Sequence, residues 1–107
     1  MNDWTPISFE DLSAMITQAE ELMGTQAKRI WQLVRLTPPE KWELHPWGDQ
    51  GGGFWVVAIA GQTCLYYNDI ENGFNTSPFT QWGRIDKYVC DQVTLDDLMN
   101  DFCTKGS

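Results

Sequence analysis

The sequence predicts an α+β domain: an N-terminal helix, a central antiparallel sheet of about four to five strands with a hairpin at 54–68, and a C-terminal helix. Three observations predict it. Apolar residues near the start recur at steps of three and four; two β-rich runs in the middle flank Gly61-Gln62; and a second helical period closes the chain. At 107 residues the chain fits one domain spanning 1–107, large enough to bury a single core. Hydrophobic content of 42% against 21% charged residues places it outside the disordered regime.

Taken in order, Ser8 with Asp11 forms a capping-box-like start, with Asp where Glu or Gln is usual. Phe9, Leu12, Ile16, Ala19 and Met23 then line one face of a helix at about 9–23, which Gly24 is placed to stop. The segment KRIWQLVRL, 28–36, satisfies both periods: Ile30, Leu33 and Val34 fit a helical face, while Ile30, Val34 and Leu36 against Trp31, Leu33 and Arg35 fit a strand. Pro38-Pro39, which should end either element and leave KWEL to pair back, favours the strand.

In FWVVAIAGQTCLYYN, Gly at the first central position suits a type II′ turn. A two-residue turn there pairs Ala60 with Thr63, Ile59 with Cys64, Val57 with Tyr66 and Trp55 with Asn68. Trp55, Val57, Ile59, Cys64 and Tyr66 would share one face, and Phe54, Val56, Ala58, Leu65 and Tyr67 the other. Both are apolar, so this pair should be central and covered on both sides. Asn72-Gly73 is a second hairpin signal, Arg84-Ile85 after Gly83 reads as a last short strand, and Thr94 with Asp97 opens a helix at about 95–103 whose face carries Leu95, Leu98, Met99 and Phe102.

Composition bounds the function. Fifteen acids against seven bases give a net charge of −8, a field that disfavours nucleic acid and anionic membrane and favours basic partners. The acids crowd both ends: Asp3, Glu10, Asp11, Glu20 and Glu21 come first, and Asp91, Asp96, Asp97 and Asp101 last. No apolar run reaches the roughly 20 residues of a membrane span. The opening MNDWTPISFEDL carries acids where a secretory signal needs basic and then apolar residues, so a cytoplasmic location is expected. Cys64, Cys90 and Cys103 are odd in number and spaced neither as a disulfide framework nor as a metal pair; they read as reduced core thiols.

Chemistry-bearing motifs are missing. DQGGGF at 49–54 lacks the Lys and Ser/Thr of a phosphate loop and leads into a strand rather than a helix. An EF-hand register through Gly73 would put Ile70 at a ligand position, and the single His45 with three scattered cysteines does not make a metal site. No cofactor or metal is expected, and the chain reads as non-enzymatic. A hydrolase using His45, or Asp69 with Glu71, is the reading this weighs against.

Aromatic content is the unusual feature. Six Trp, three Tyr and five Phe exceed what a core this small readily buries, and Trp4, Trp42, Trp47 and Trp82 sit beside Pro, Gly or charged residues, as surface side chains do. Interleaved with acids, they suggest a surface for a basic protein, made by Trp47, Asp49, Asp69, Glu71, Phe74 and Trp82. The stretch PWGDQGGGFWVVAIAGQTCLYYNDIENGFN, with the later WGRI and the acidic closing helix, resembles small bacterial proteins of the immunity type, over Trp31 to Ile85. That resemblance implies a cytoplasmic, non-enzymatic, acidic inhibitor of a basic toxin such as a nuclease. The alternative is a small-ligand module in which Tyr66, Trp55 or Trp82 stacks on a ring.

Overall fold

The computed structural model describes residues 5–105, with positions 50 and 102–105 described by their backbone alone, so Trp4 and the side chains of Phe102 and Cys103 lie outside the described residues. The elements run α1 (Phe9–Leu22), α2 (Thr25–Val34), β1 (Arg35–Trp42), a 3₁₀ turn (Asp49–Gly51), β2 (Phe54–Ala60), β3 (Thr63–Asn68), β4 (Gly73–Pro78) and α3 (Leu95–Lys105). The four strands form one antiparallel meander in the order β1-β2-β3-β4. The α+β class therefore stands. None of the described helices is long and apolar enough to cross a membrane.

Ser8 caps α1 by accepting the Asp11 N–H at 3.1 Å, and Leu12, Ile16 and Ala19 turn inward at the expected spacing. Gly24 does follow the helix, but with φ near −66° it is the N-cap of α2 rather than a left-handed stop.

The strand reading of 28–36 is corrected: residues 25–34 are helical, and the strand begins only at Arg35. A strand would put Trp31 and Leu33 on one face. The helix separates them, burying Trp31 with Ala27 while Leu33 stays 85% exposed. The Trp31 indole N–H donates to the Glu20 carboxylate at 2.8 Å, and Arg35 pairs with the same carboxylate, which pins α2 to α1. Nor do Pro38 and Pro39 end the element; they lie inside β1. Residues Arg35 and Glu40 oppose Ala58 and Val56, so the strand bulges through the prolines, which a sheet edge tolerates because no neighbour needs their missing N–H groups.

Gly61 has φ +63° and Gln62 does not share the positive sign, as a type II′ turn requires. From that turn the pairs Ala60↔Thr63, Ile59↔Cys64 and Ala58↔Leu65 follow as expected. Then the register slips: Val56, not Val57, opposes Tyr66, and Trp55 opposes Tyr67. Val57 is the extra residue of a bulge, so two consecutive side chains, Val57 and Ala58, face the same way. One core holds Trp55, Val57, Ala58, Leu65, Tyr67 and Phe74 against the three helices. The other holds Trp42, Phe54, Val56, Cys64 and Tyr66 against Leu44, Phe79 and Ile85, residues of irregular chain. Both sheet faces are covered, by helices on one side and by coil on the other.

The β3–β4 connection is a four-residue loop, Asp69–Asn72, with Asn72 at φ +60°. Gly73 pairs with Asn68 as the first residue of β4. Its reason for being glycine is contact: a Cβ there would fall 2.5 Å from the Gln92 Cα and hard against the Asp91 carbonyl oxygen. The segment read as a last strand near Arg84-Ile85 contributes only a single parallel bridge, Glu43↔Arg84. Thr94 caps α3 through the Asp97 N–H, and Leu95 and Met99 are buried.

Gly73→Ala should lower the free energy of unfolding by roughly 2 kcal/mol or more, as overpacking against unyielding backbone does. Urea denaturation of the two proteins measures it, and equal midpoints would mean the 91–93 segment is not pressed on β4.

Candidate functional site

The surface of interest is the sheet face covered by coil. After Pro78 the chain crosses this face to reach α3, and a coil carries backbone N–H and C=O groups with no ladder to satisfy them. The sheet satisfies them with side chains. Ser77 Oγ accepts the Lys87 N–H at 2.8 Å, and the Tyr66 hydroxyl accepts the Val89 N–H at 2.7 Å. Asn68 donates to the Val89 carbonyl at 2.9 Å, and Asn75 both accepts the Asp91 N–H and donates to its carbonyl, each at 3.1 Å. The Phe74 backbone N–H closes the row on the Val93 carbonyl at 2.8 Å. Residues 87, 89, 91 and 93 are thus held at every second position, as in a strand. Burial pushes the Tyr66 hydroxyl up to about 12, and its single proton lies between the Lys87 and Val89 carbonyls, each 3.2 Å away.

Between these anchors Tyr88 reaches Trp47. The two rings stack at 4.6 Å with 13° between their planes, and Trp47 remains 45% exposed. Trp82, 57% exposed, leans on Trp42 at 5.0 Å, and one Glu40 carboxylate oxygen accepts both indole N–H groups, at 3.0 Å from Trp82 and 3.1 Å from Trp42. Asp49 holds the His45 imidazole at 2.6 Å on the same loop as Trp47. Trp47, Asp49 and Trp82 are therefore exposed and fixed by neighbours.

The other expected contact residues are placed differently. Asp69 is only 7% exposed and turns inward, where one oxygen accepts the Ile7 N–H at 2.9 Å and the other is buried without a hydrogen-bond partner. Desolvation raises its carboxyl above the ordinary aspartate range, partly offset by the Ile7 N–H and by nearby Lys41. Phe74 is buried on the helix side, 4.8 Å from the Tyr67 ring. Glu71 is half-buried in the loop that leaves the same end of the sheet as 43–53. A single edge of six residues is thus not formed.

Of the three rings expected to stack on a ligand two are covered, whereas Trp82 stays exposed. Tyr66 is fully buried, and Trp55 lies beneath Phe9 and the Lys41 ammonium with its indole N–H on the Ile7 carbonyl. For His45 no hydroxyl or thiol among the described residues is bonded to the ring. No three His, Cys, Asp or Glu side chains among the described residues converge as a metal site needs. Cys64 is buried, with its thiol pushed up to about 12 by desolvation, whereas Cys90 is exposed, contrary to its reading as a core thiol.

Two of the surface hollows border these elements. One, of about 440 Å³, lies between 43–47 and 80–86, with Trp47, Arg84, Glu43 and Asp86 on its walls. The other, of about 350 Å³, is an apolar groove between α1 and the start of α3, lined by Met15, Leu22 and Phe74. Nothing in the sequence marks Tyr88, Arg84 or Asp86 as part of a site, because the chain crossing that assembles them leaves no periodic signal. Compared with known protein families, curated proteins and solved structures, the chain finds no match.

Two outcomes follow from the buried polar groups. Asn75→Ala strips both partners from the Asp91 backbone and should cost about 2 to 3 kcal/mol, read from chemical denaturation. Amide exchange at Asp91 should quicken with it, and unchanged exchange would show that Asn75 does not hold the crossing. Asp69, with a native pKa above its unfolded value, contributes stability that is complete below the unfolded value and is lost as pH rises through the native one. Asp69→Asn, whose amide oxygen can still accept from Ile7, should therefore be as stable as wild type or more so at neutral pH. It should also flatten the stability profile as pH rises above the unfolded-state aspartate value. An unaltered slope would assign the titration to another group.

Proposed function

We propose that this chain is a non-enzymatic protein-binding domain acting in the cytoplasm, an immunity or antitoxin-like inhibitor of a basic partner protein such as a nuclease toxin. The observation that carries the reading is the pair of exposed tryptophans on the coil-covered face, each already immobilised: Trp47 by Tyr88, Trp82 by Trp42 and Glu40. Rings held in place before binding lose little entropy on contact, which is why Trp anchors dominate interface energetics.

Charge supports the same reading. Glu40, Glu43, Asp49 and Asp86 stand exposed around these rings, against Arg84 and Lys87. With a net charge of −8 over the whole chain, a basic surface would be steered toward this face and a nucleic acid repelled. The contact set is accordingly Trp47, Asp49 and Trp82, with Glu71 at its margin; Asp69 and Phe74 act by holding the fold.

The test is affinity capture of the tagged protein from lysate of its own source cell at graded salt. A stoichiometric basic protein should be retained and released as salt rises. Trp47→Ala with Trp82→Ala should weaken capture by about tenfold or more, about 1.4 kcal/mol, in a protein that circular dichroism shows still folded. Full retention by the double variant would take this face out of the interface, and recovery of the protein alone at every salt would remove the reading.

A further inference from the structure

The hollow between 43–47 and 80–86 has a composition that the protein-binding reading does not use. Its lining is more polar than apolar, with Leu44 and Ile85 at its base, both buried. Trp47, whose ring stacks on Tyr88, lines one wall. Arg84, Glu43 and Asp86 bring the charges to the lining, which His45 and Thr80 complete. Among the described residues none of these three side chains makes an ion pair or a hydrogen bond, although opposite charges share one cleft. The two segments are locked together by backbone, Glu43 N–H to the Gly83 carbonyl and Ile85 N–H to the Glu43 carbonyl, both at 2.9 Å, so the hollow keeps its shape without those side chains.

We infer that this cleft binds a small zwitterion carrying a flat apolar group, of the class of aromatic α-amino acids. The charges choose the class. A purely anionic ligand would meet Arg84 but also two carboxylates, and a purely cationic one would meet those carboxylates but also the guanidinium. Only a ligand with both signs uses all three, its carboxylate on Arg84 and its ammonium toward Glu43 and Asp86. The ring then lies on Trp47 over Leu44 and Ile85, where stacking adds about 0.5 to 1.5 kcal/mol to the area it buries. A volume of about 440 Å³ is ample for one such molecule.

The experiment is a titration of the ¹⁵N-labelled protein with L-phenylalanine, and separately with 3-phenylpropionate and 2-phenylethylamine, its anion-only and cation-only halves. L-phenylalanine should shift the amide signals of 43–45 and 84–86 saturably and bind about tenfold or more tightly than either half. Arg84→Gln and Trp47→Ala should each weaken it about tenfold while the amide spectrum remains that of the folded protein, since both side chains are exposed. No shift up to the solubility limit, a half-ligand that binds as well as the whole, or indifference to Arg84→Gln would each overturn the inference. None of these results depends on whether a protein partner is captured.

Discussion

The structure depends on one constraint: buried backbone must find hydrogen bonds, and here a coil, not a helix, covers half of the sheet. Helices satisfy their own backbone, so α1, α2 and α3 need give the sheet only apolar side chains. The crossing from Pro78 to Thr94 has no such self-sufficiency. Its N–H and C=O groups are taken up by Ser77, Tyr66, Asn68 and Asn75, four polar side chains set among the apolar residues of β3 and β4. Because these anchors catch alternate residues, the crossing is extended and fixed, and its intervening Tyr88 is delivered to Trp47.

That constraint explains the stretch YYNDIENGFN. Its polar residues look like an exposed acidic turn, yet Asn68, Asp69 and Asn75 are buried. Asn68 serves twice, accepting the Ile70 and Glu71 N–H groups to shape the loop and donating to Val89 to hold the crossing. Asn72-Gly73 had the residues of a two-residue hairpin turn, but Gly73 is glycine for proximity to 91–93 and only Asn72 takes the left-handed conformation.

Local physics was legible and long-range pairing was not. The two terminal helices announced themselves by spacing and caps, and Gly61-Gln62 fixed the hairpin and its first three pairs. The bulge at Val57 was invisible because one extra residue in an apolar run has no signature, although it moves every face assignment beyond it. In 28–36 the two periods tied, and Pro38-Pro39 tipped the reading the wrong way. What decides for helix is tertiary: Glu20 on α1 receives both Trp31 and Arg35. Of the expected contact residues, Trp47, Asp49 and Trp82 are exposed, as their Pro, Gly and charged neighbours suggest, whereas Asp69 and Phe74 are inside because β3 and β4 are overlaid, which no single-chain pattern reveals.

A division of labour follows. The helix-covered side of the sheet is filled mainly by apolar side chains packed against three regular helices. The coil-covered side presents irregular backbone, rigid indoles and unpaired charges of both signs, because loops can hold side chains at orientations that a helix or strand period forbids. Such a surface is usable only if the coil does not move, and a row of buried amides and hydroxyls is a means of stiffening coil without adding an element. The polar residues inside the sheet are therefore the support of the coil-covered surface, and its exposed acids and indoles stand on the segments they hold.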